Sequence, residues 1–263
     1  MRDVSPVRVT PGAIVLATVA LVAGCGGAGN ARRRSARTGH RLTTAATRTF
    51  TIGNSVERRP IHVVALGDAS AGRPLLVVGC VHGDEAAGIA IARWLMRHRL
   101  AGGPPLWVIP DLNPDGVASG IRQNGHGVDL NRNFPFRWQP LYRAGDQQYQ
   151  GPRPLSEPES RAASRLILRL RPRVTIWFHQ PLGVTDLSGG EPLIERRFAR
   201  LTRLPLRQLT RYPGSVSGWQ NHTFPGTTAF VVELPTGRLT PGAVTRYAGA
   251  VLALARSGTP ARR

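Results

Sequence analysis

The chain has 263 residues, with thirty-five basic against fifteen acidic side chains, a formal net charge of +20, and arginine at every basic position. That length suits one α/β domain with a sizeable core, and two cysteines are too few for a disulfide framework. The positive excess favours anionic surroundings such as lipid head groups or cell-wall polymers, and the absence of any recognition motif argues against nucleic acid as the partner.

Arg2 and Arg8 precede an apolar run from Ala13 to Ala23. The run is short for a membrane span and the right length for a signal-peptide core. It ends in Val22-Ala23-Gly24-Cys25, which resembles the bacterial lipobox, where the cysteine is acylated and becomes the mature amino terminus. A plain signal peptide cleaved nearby is the other reading. The expected organisation is a signal peptide over 1–24, a lipidated Cys25 with a flexible Gly/Ala/Arg-rich tether over 25–47, and a folded domain over 48–263. An acyl chain would hold the protein on the outer face of the cytoplasmic membrane without spanning it. Cys80 is then left alone at the end of an apolar strand pattern, where a buried, inert thiol is expected.

Residues 49–56 and 60–66 alternate apolar and polar side chains around Gly53-Asn54 and read as a β-hairpin. Leu75-Leu76-Val77-Val78-Gly79 is a continuous apolar run, as expected of a buried central strand, and His82 lies just past its end. A helix is predicted from about Asp84 or Glu85 to residue 99, a strand over 106–109, and a turn over 110–116 from its Asn-Pro and Asp-Gly pairs. Gly120 to Pro135 mixes glycines with hydrogen-bonding side chains and reads as a binding loop. Ser156 with Glu159 predicts a capping box and a helix to about Leu170. Val174 to Phe178 is another buried strand delivering His179. A short helix over 191–201, a long loop over 210–226, a strand over 228–232 carrying Glu233 at its end, and a helix over 239–255 with Thr240 as cap complete the domain. The fold class is therefore α/β, three-layered, with a mixed, mostly parallel central sheet flanked by helices.

His82-Gly83-Asp84-Glu85 alone is compatible with an ordinary helix start or with two ligands of a metal ion. Two strand ends that each deliver a histidine favour the second reading, because α/β sheets place their sites at the carboxyl ends of strands. His82-Gly83-Asp84-Glu85, Asn113-Pro114-Asp115-Gly116, Asp129-Leu130-Asn131-Arg132-Asn133-Phe134, His179 and Val232-Glu233-Leu234 stand in the order and at intervals that resemble the zinc carboxypeptidase family. Within it, the chain looks most like bacterial murein peptide amidases.

The resemblance implies one Zn²⁺ held by His82, Glu85 and His179, with Glu233 as general base and Arg122 as oxyanion donor. It implies that Asn131 and Arg132 hold a substrate carboxylate, and that Asp129 orients His82. Tyr212 is the nearest counterpart of the family's catalytic-loop tyrosine. The implied activity is hydrolysis of an amide next to a free carboxylate in peptidoglycan-derived peptides, at the γ-D-glutamyl–diaminopimelate bond, with no obligate protein partner. A general metallocarboxypeptidase, an aspartoacylase-like deacylase and a non-catalytic wall-binding lipoprotein are the alternatives. His40, His62, His98, His126 and His222 stand in no matching motif and are assigned no role, although His222 lies in the loop before Glu233, where it could face the cleft.

Overall fold

The computed structural model describes residues 47–98 and 105–256. The expected signal peptide, Cys25 and the tether up to residue 46 lie outside the described residues. Among the described residues, no helix is long and apolar enough to cross a membrane.

Among the described residues, eight strands form one sheet in the order β1-β2-β4-β3-β5-β8-β6-β7. The hairpin is β1 (Thr47–Asn54) and β2 (Pro60–Leu66), and β2 pairs antiparallel with β4 (Leu106–Ile109). The centre is parallel: β4 beside β3 (Leu75–Val78), β3 beside β5 (Val174–His179), and β5 beside β8 (Thr228–Pro235). Beyond it, β6 (Leu182–Asp186) runs antiparallel to β8, and the two-residue β7 (Leu206–Arg207) closes the edge.

The central strands are largely apolar because both their faces are covered, with Thr175 and Thr228 buried among them. Leu75 and Val77 point into a core with Ile91, Leu95, Phe198, Phe230, Tyr247 and Val251. These side chains come partly from α1 (Gly88–Arg97), α4 (Pro192–Thr202) and α6 (Pro241–Arg256). Leu76 and Val78 point the other way, among Leu130, Phe134, Leu166, Trp177 and Trp219, under α3 (Pro158–Leu170) and α5 (Val216–Thr223). The strand period of two thus sorts one run of leucine and valine between two cores.

Several expectations need correction. Helix α1 starts at Gly88 rather than at Asp84 or Glu85, and the intervening residues form turns in which Glu85 N–H reaches His82 O and Ile89 N–H reaches Ala86 O. Gly88 packs against the Gly79 carbonyl so closely that a Cβ would lie 2.1 Å from that oxygen, which lets the helix start against the end of β3. The 110–116 turn runs into a short helix, α2 (Pro114–Ser119), capped by Asn113 Oδ1 accepting from Gly116 N–H. The capping box does not form. Glu157 occupies the cap position of α3, and the Glu159 carboxylate is buried, accepting from Val56 N–H and the Asn124 amide. The 210–226 loop contains α5, and the sheet continues through β6 and β7. Thr240 does cap α6, with its Oγ1 accepting from Ala243 N–H.

Candidate metal centre

The carboxyl ends of β3, β5 and β8 lie side by side, and each supplies chemistry. His82 follows β3 by four residues, His179 is the last residue of β5, and Glu233 on β8 is its direct cross-strand partner. Helix α1 begins past Glu85, whose carboxylate turns back toward both histidines.

The donor atoms converge. His82 Nδ1 lies 2.9 Å from Glu85 Oε1, His179 Nδ1 lies 2.9 Å from Glu85 Oε2, and the two Nδ1 atoms are 3.2 Å apart. All three side chains are buried. His82 Nε2 faces Asp129 Oδ1 at 3.0 Å, which fixes the proton on Nε2 and leaves the Nδ1 lone pair aimed inward. Two imidazole nitrogens and a carboxylate are the donor set zinc takes in open, catalytic sites, at about 2.0–2.2 Å. Two imidazole nitrogens 3.2 Å apart, each 2.9 Å from an oxygen of the same buried carboxylate, converge on one point, so the residues present fit one Zn²⁺.

The surrounding charges support that set. Burial penalises the Glu85 carboxylate, but His82 and His179 outweigh it and hold its pKa far below the usual range. Asp129 is likewise kept ionised despite complete burial by His82 and Arg122. Arg122 ties the two carboxylates together, with Nη1 donating to Glu85 Oε1 at 2.8 Å and Nε to Asp129 Oδ2 at 3.0 Å. Gln180, which the sequence does not single out, ties its own strand end to two other segments: its N–H donates to Glu85 Oε2 and its Oε1 accepts from Ala87 N–H, while its amide donates to Pro235 O and Gly237 O.

Glu233 differs from the other acids. Its Oε2 is buried with no hydrogen-bond partner among the described residues, and burial raises its pKa, partly opposed by His179. An under-solvated carboxylate beside a metal centre is poised to take up a proton.

These residues line a cavity of about 330 Å³. Along its wall, Arg132 is buried, with Nη2 donating to Gln148 Oε1 at 3.2 Å and the guanidinium 4.0 Å from the Tyr212 ring centroid. Its Nε has no hydrogen-bond partner among the described residues. Asn131 Oδ1 accepts from Val216 N–H at 3.0 Å, joining this wall to α5. The structure thus gathers His82, Glu85, His179, Glu233, Arg122, Asn131, Arg132 and Tyr212 around one cavity, with Asp129 directly behind. His222 does not join them; it stacks on Phe136 at 4.2 Å. Cys80 is fully buried, and burial pushes its thiol pKa well up, as expected of an inert cysteine. Gln148, Asp186 and Arg211 also line the cavity; they sit on irregular segments and a short strand end, with no local pattern to mark them.

Residues 40–182 match the sequence profile of the zinc carboxypeptidase family. Murein peptide amidase A of Escherichia coli K12 is 33% identical over 157 residues, covering 55% of this chain and 64% of that protein. The chain therefore aligns with just under two thirds of that relative's length. The enzyme of the same name in Vibrio campbellii is 32% identical over 196 residues, covering 70% of this chain and 77% of that protein. Among solved structures, murein-tripeptide amidase from Escherichia coli O157 superposes with a TM-score of 0.66 at 29% identity, over 81% of this chain and 93% of that one. Carboxypeptidase A from Helicoverpa armigera shares the fold, with a TM-score of 0.69 at 18% identity, over 81% and 68%.

Proposed function

We propose, from the premise that this chain belongs to the zinc carboxypeptidase family, that it is a zinc-dependent amidase of peptidoglycan-derived peptides. The bond cut is an amide next to a free carboxylate, of the γ-D-glutamyl–diaminopimelate kind. The observation that carries this reading is the convergence of three metal donors with the unpartnered Glu233 Oε2 and the buried Arg132 guanidinium around one cavity. The names of the amidase relatives support the choice of substrate.

His82, Glu85 and His179 hold the zinc, and Asp129 fixes the His82 tautomer. Zinc in such a site polarises a carbonyl and lowers the pKa of water. Arg132 receives the substrate carboxylate on its unpaired Nε and its remaining donors, a task for which a planar guanidinium is suited. Asn131 fixes the adjacent wall through Val216. Tyr212 covers the guanidinium face and excludes water from it. Glu233 accepts the proton of the attacking water and passes it to the leaving amine, which its raised pKa favours. Arg122 swings from Glu85 toward the developing oxyanion.

The proposal extends to location. The Val22-Ala23-Gly24-Cys25 sequence supports export and acylation of Cys25, which would place the folded domain on the outer face of the cytoplasmic membrane beside the wall. Mass spectrometry of the mature amino terminus tests this, and an unmodified terminus cleaved elsewhere refutes it. The activity is tested by incubating the zinc-loaded protein with defined muropeptides and with ordinary peptides, and identifying the products by mass. Release of a diaminopimelate-containing fragment from L-alanyl-γ-D-glutamyl-diaminopimelate is expected; cleavage of ordinary peptides alone would refute the amidase reading.

A further inference from the structure

The cavity lining carries an ion pair that none of the roles above uses. Asp186 ends β6, is buried, and lines the cavity together with Leu209, Arg211 and Val231. Strand β6 pairs with β8 through Val184↔Glu233 and Thr185↔Val232. Asp186 thus lies two positions beyond the row of Glu233, about 7 Å along the strand. A long, unbranched substrate side chain spans such a distance.

The pair's hydrogen-bond inventory has room left in it. Asp186 Oδ1 accepts from Leu209 N–H at 2.8 Å, and Oδ2 accepts from Ser188 Oγ at 2.6 Å and Arg211 Nη1 at 2.7 Å. An ionised carboxylate offers about four lone-pair sites, so one remains. Arg211 is partly exposed and directs a single donor at Asp186, and a guanidinium has about five. The cavity wall therefore presents an acceptor and a fork of donors side by side.

Resting on the amidase reading, we infer that Asp186 and Arg211 are the specificity pair for the residue on the amine side of the scissile bond. They recognise a side chain that ends in both an ammonium and a carboxylate, as the far end of a diamino-dicarboxylic acid does. The ammonium takes the free lone pair of Asp186, and the carboxylate takes the free donors of Arg211. A lysine-type terminus brings only a cation and meets Arg211, an acidic terminus brings only an anion and meets Asp186, and an apolar one leaves both unmatched. Discrimination thus comes from repulsion as well as attraction.

The experiment compares three substrates of the zinc-loaded full chain, L-alanyl-γ-D-glutamyl peptides ending in meso-diaminopimelate, in diaminopimelate amidated at its far carboxyl, and in L-lysine. The wild type is expected to favour the first over the other two by about tenfold or more in kcat/KM. Arg211→Ala, at a partly exposed site, is expected to lower kcat/KM on the first substrate at least about tenfold more than on lysine, collapsing the preference. Asp186→Asn should weaken turnover of all three substrates, since each terminus carries an ammonium; because Asp186 is buried, its fold is checked by circular dichroism, and Arg211→Ala decides if it does not fold. Equal turnover of all three substrates by the wild type overturns the specificity pair and leaves the amidase reading intact. So does an Arg211→Ala variant that keeps its preference or loses activity equally on all three. Turnover of none of them removes the amidase reading and this inference with it.

Discussion

Asp129→Asn tests how the metal donors are held. In the native site Asp129 Oδ1 accepts from His82 Nε2 at 3.0 Å and from Asn131 N–H at 2.8 Å, while Oδ2 accepts from Arg122 Nε at 3.0 Å and Nη2 at 2.9 Å. The side chain is fully buried. An amide has one oxygen, so whichever way the substituted side chain turns, its NH₂ faces donors: either Arg122, or His82 and Asn131. Removing one partner of a buried charged network costs about 3–5 kcal/mol, which in a domain of this size lowers the melting temperature by roughly 6–20 °C. Loss of the group that orients a metal-binding histidine typically costs about 10–100-fold in metal affinity. Thermal unfolding of the metal-free variant and competition for zinc against a chelator read the two effects separately. A zinc affinity within about threefold of wild type would refute the claim that Asp129 sets the His82 tautomer.

Three other perturbations probe different parts of the site. Gly83→Ala would place a Cβ 1.9 Å from the Gly116 carbonyl carbon and 2.1 Å from its oxygen, and since backbone must move, a loss of about 3 kcal/mol or more in urea unfolding is expected; a native-like midpoint would show that the His82–Glu85 loop is not wedged there. Tyr212→Ala uncovers the Arg132 guanidinium, a contact worth about 0.5–2 kcal/mol, and should raise KM about 2–30-fold with kcat little changed while Tyr212→Phe retains the native KM; a fall in kcat in Tyr212→Phe would instead place the hydroxyl in the chemistry. Glu195 is fully buried, and burial, with Asp186 adding to it, raises its pKa from 4.5 to about 7. The folded protein therefore keeps this proton to higher pH than the unfolded chain, so stability present below about pH 4.5 declines as pH rises through 7, by on the order of 3 kcal/mol. Glu195→Gln should abolish that decline in urea unfolding at about pH 5 and about pH 8.5, and an unchanged pH dependence would assign it to other groups.

The parts of the fold visible in the sequence are those whose pattern is local. Leu75–Val78 is an uninterrupted apolar run, and Val174–Phe178 and Thr228–Val232 are apolar but for one threonine each, because each strand is covered on both faces, and each run ends at or near a residue of the metal centre. Helix α5 is hidden because Tyr212, Pro213, Gly214 and the polar residues after them carry loop composition, while the helix itself is held by tertiary contacts from Val216 and Trp219 into the core. Strand β6, only five residues long and interrupted by Gly183, shows no continuous pattern. Ser156 and Glu159 imitate a capping box, yet Glu159 serves a buried network with Asn124 and Val56 that joins segments far apart in sequence. The Asp186–Arg211 pair is of the same kind, since twenty-five residues separate its members and neither stands in a motif. Conversely, His82, Glu85, His179 and Glu233 are legible because their spacing resembles a known family, not because any local rule requires a metal there.

The central claim is that one zinc ion sits between His82, Glu85 and His179 with Glu233 as the proton carrier. The most direct measurement is metal content and turnover of the wild type and Glu233→Gln, purified side by side under zinc-replete conditions. Both proteins should carry about one zinc per chain, and the variant should lose about 10²–10⁴-fold in kcat on its amide substrate. Absence of zinc from the wild type, or undiminished hydrolysis by the variant, would contradict the account.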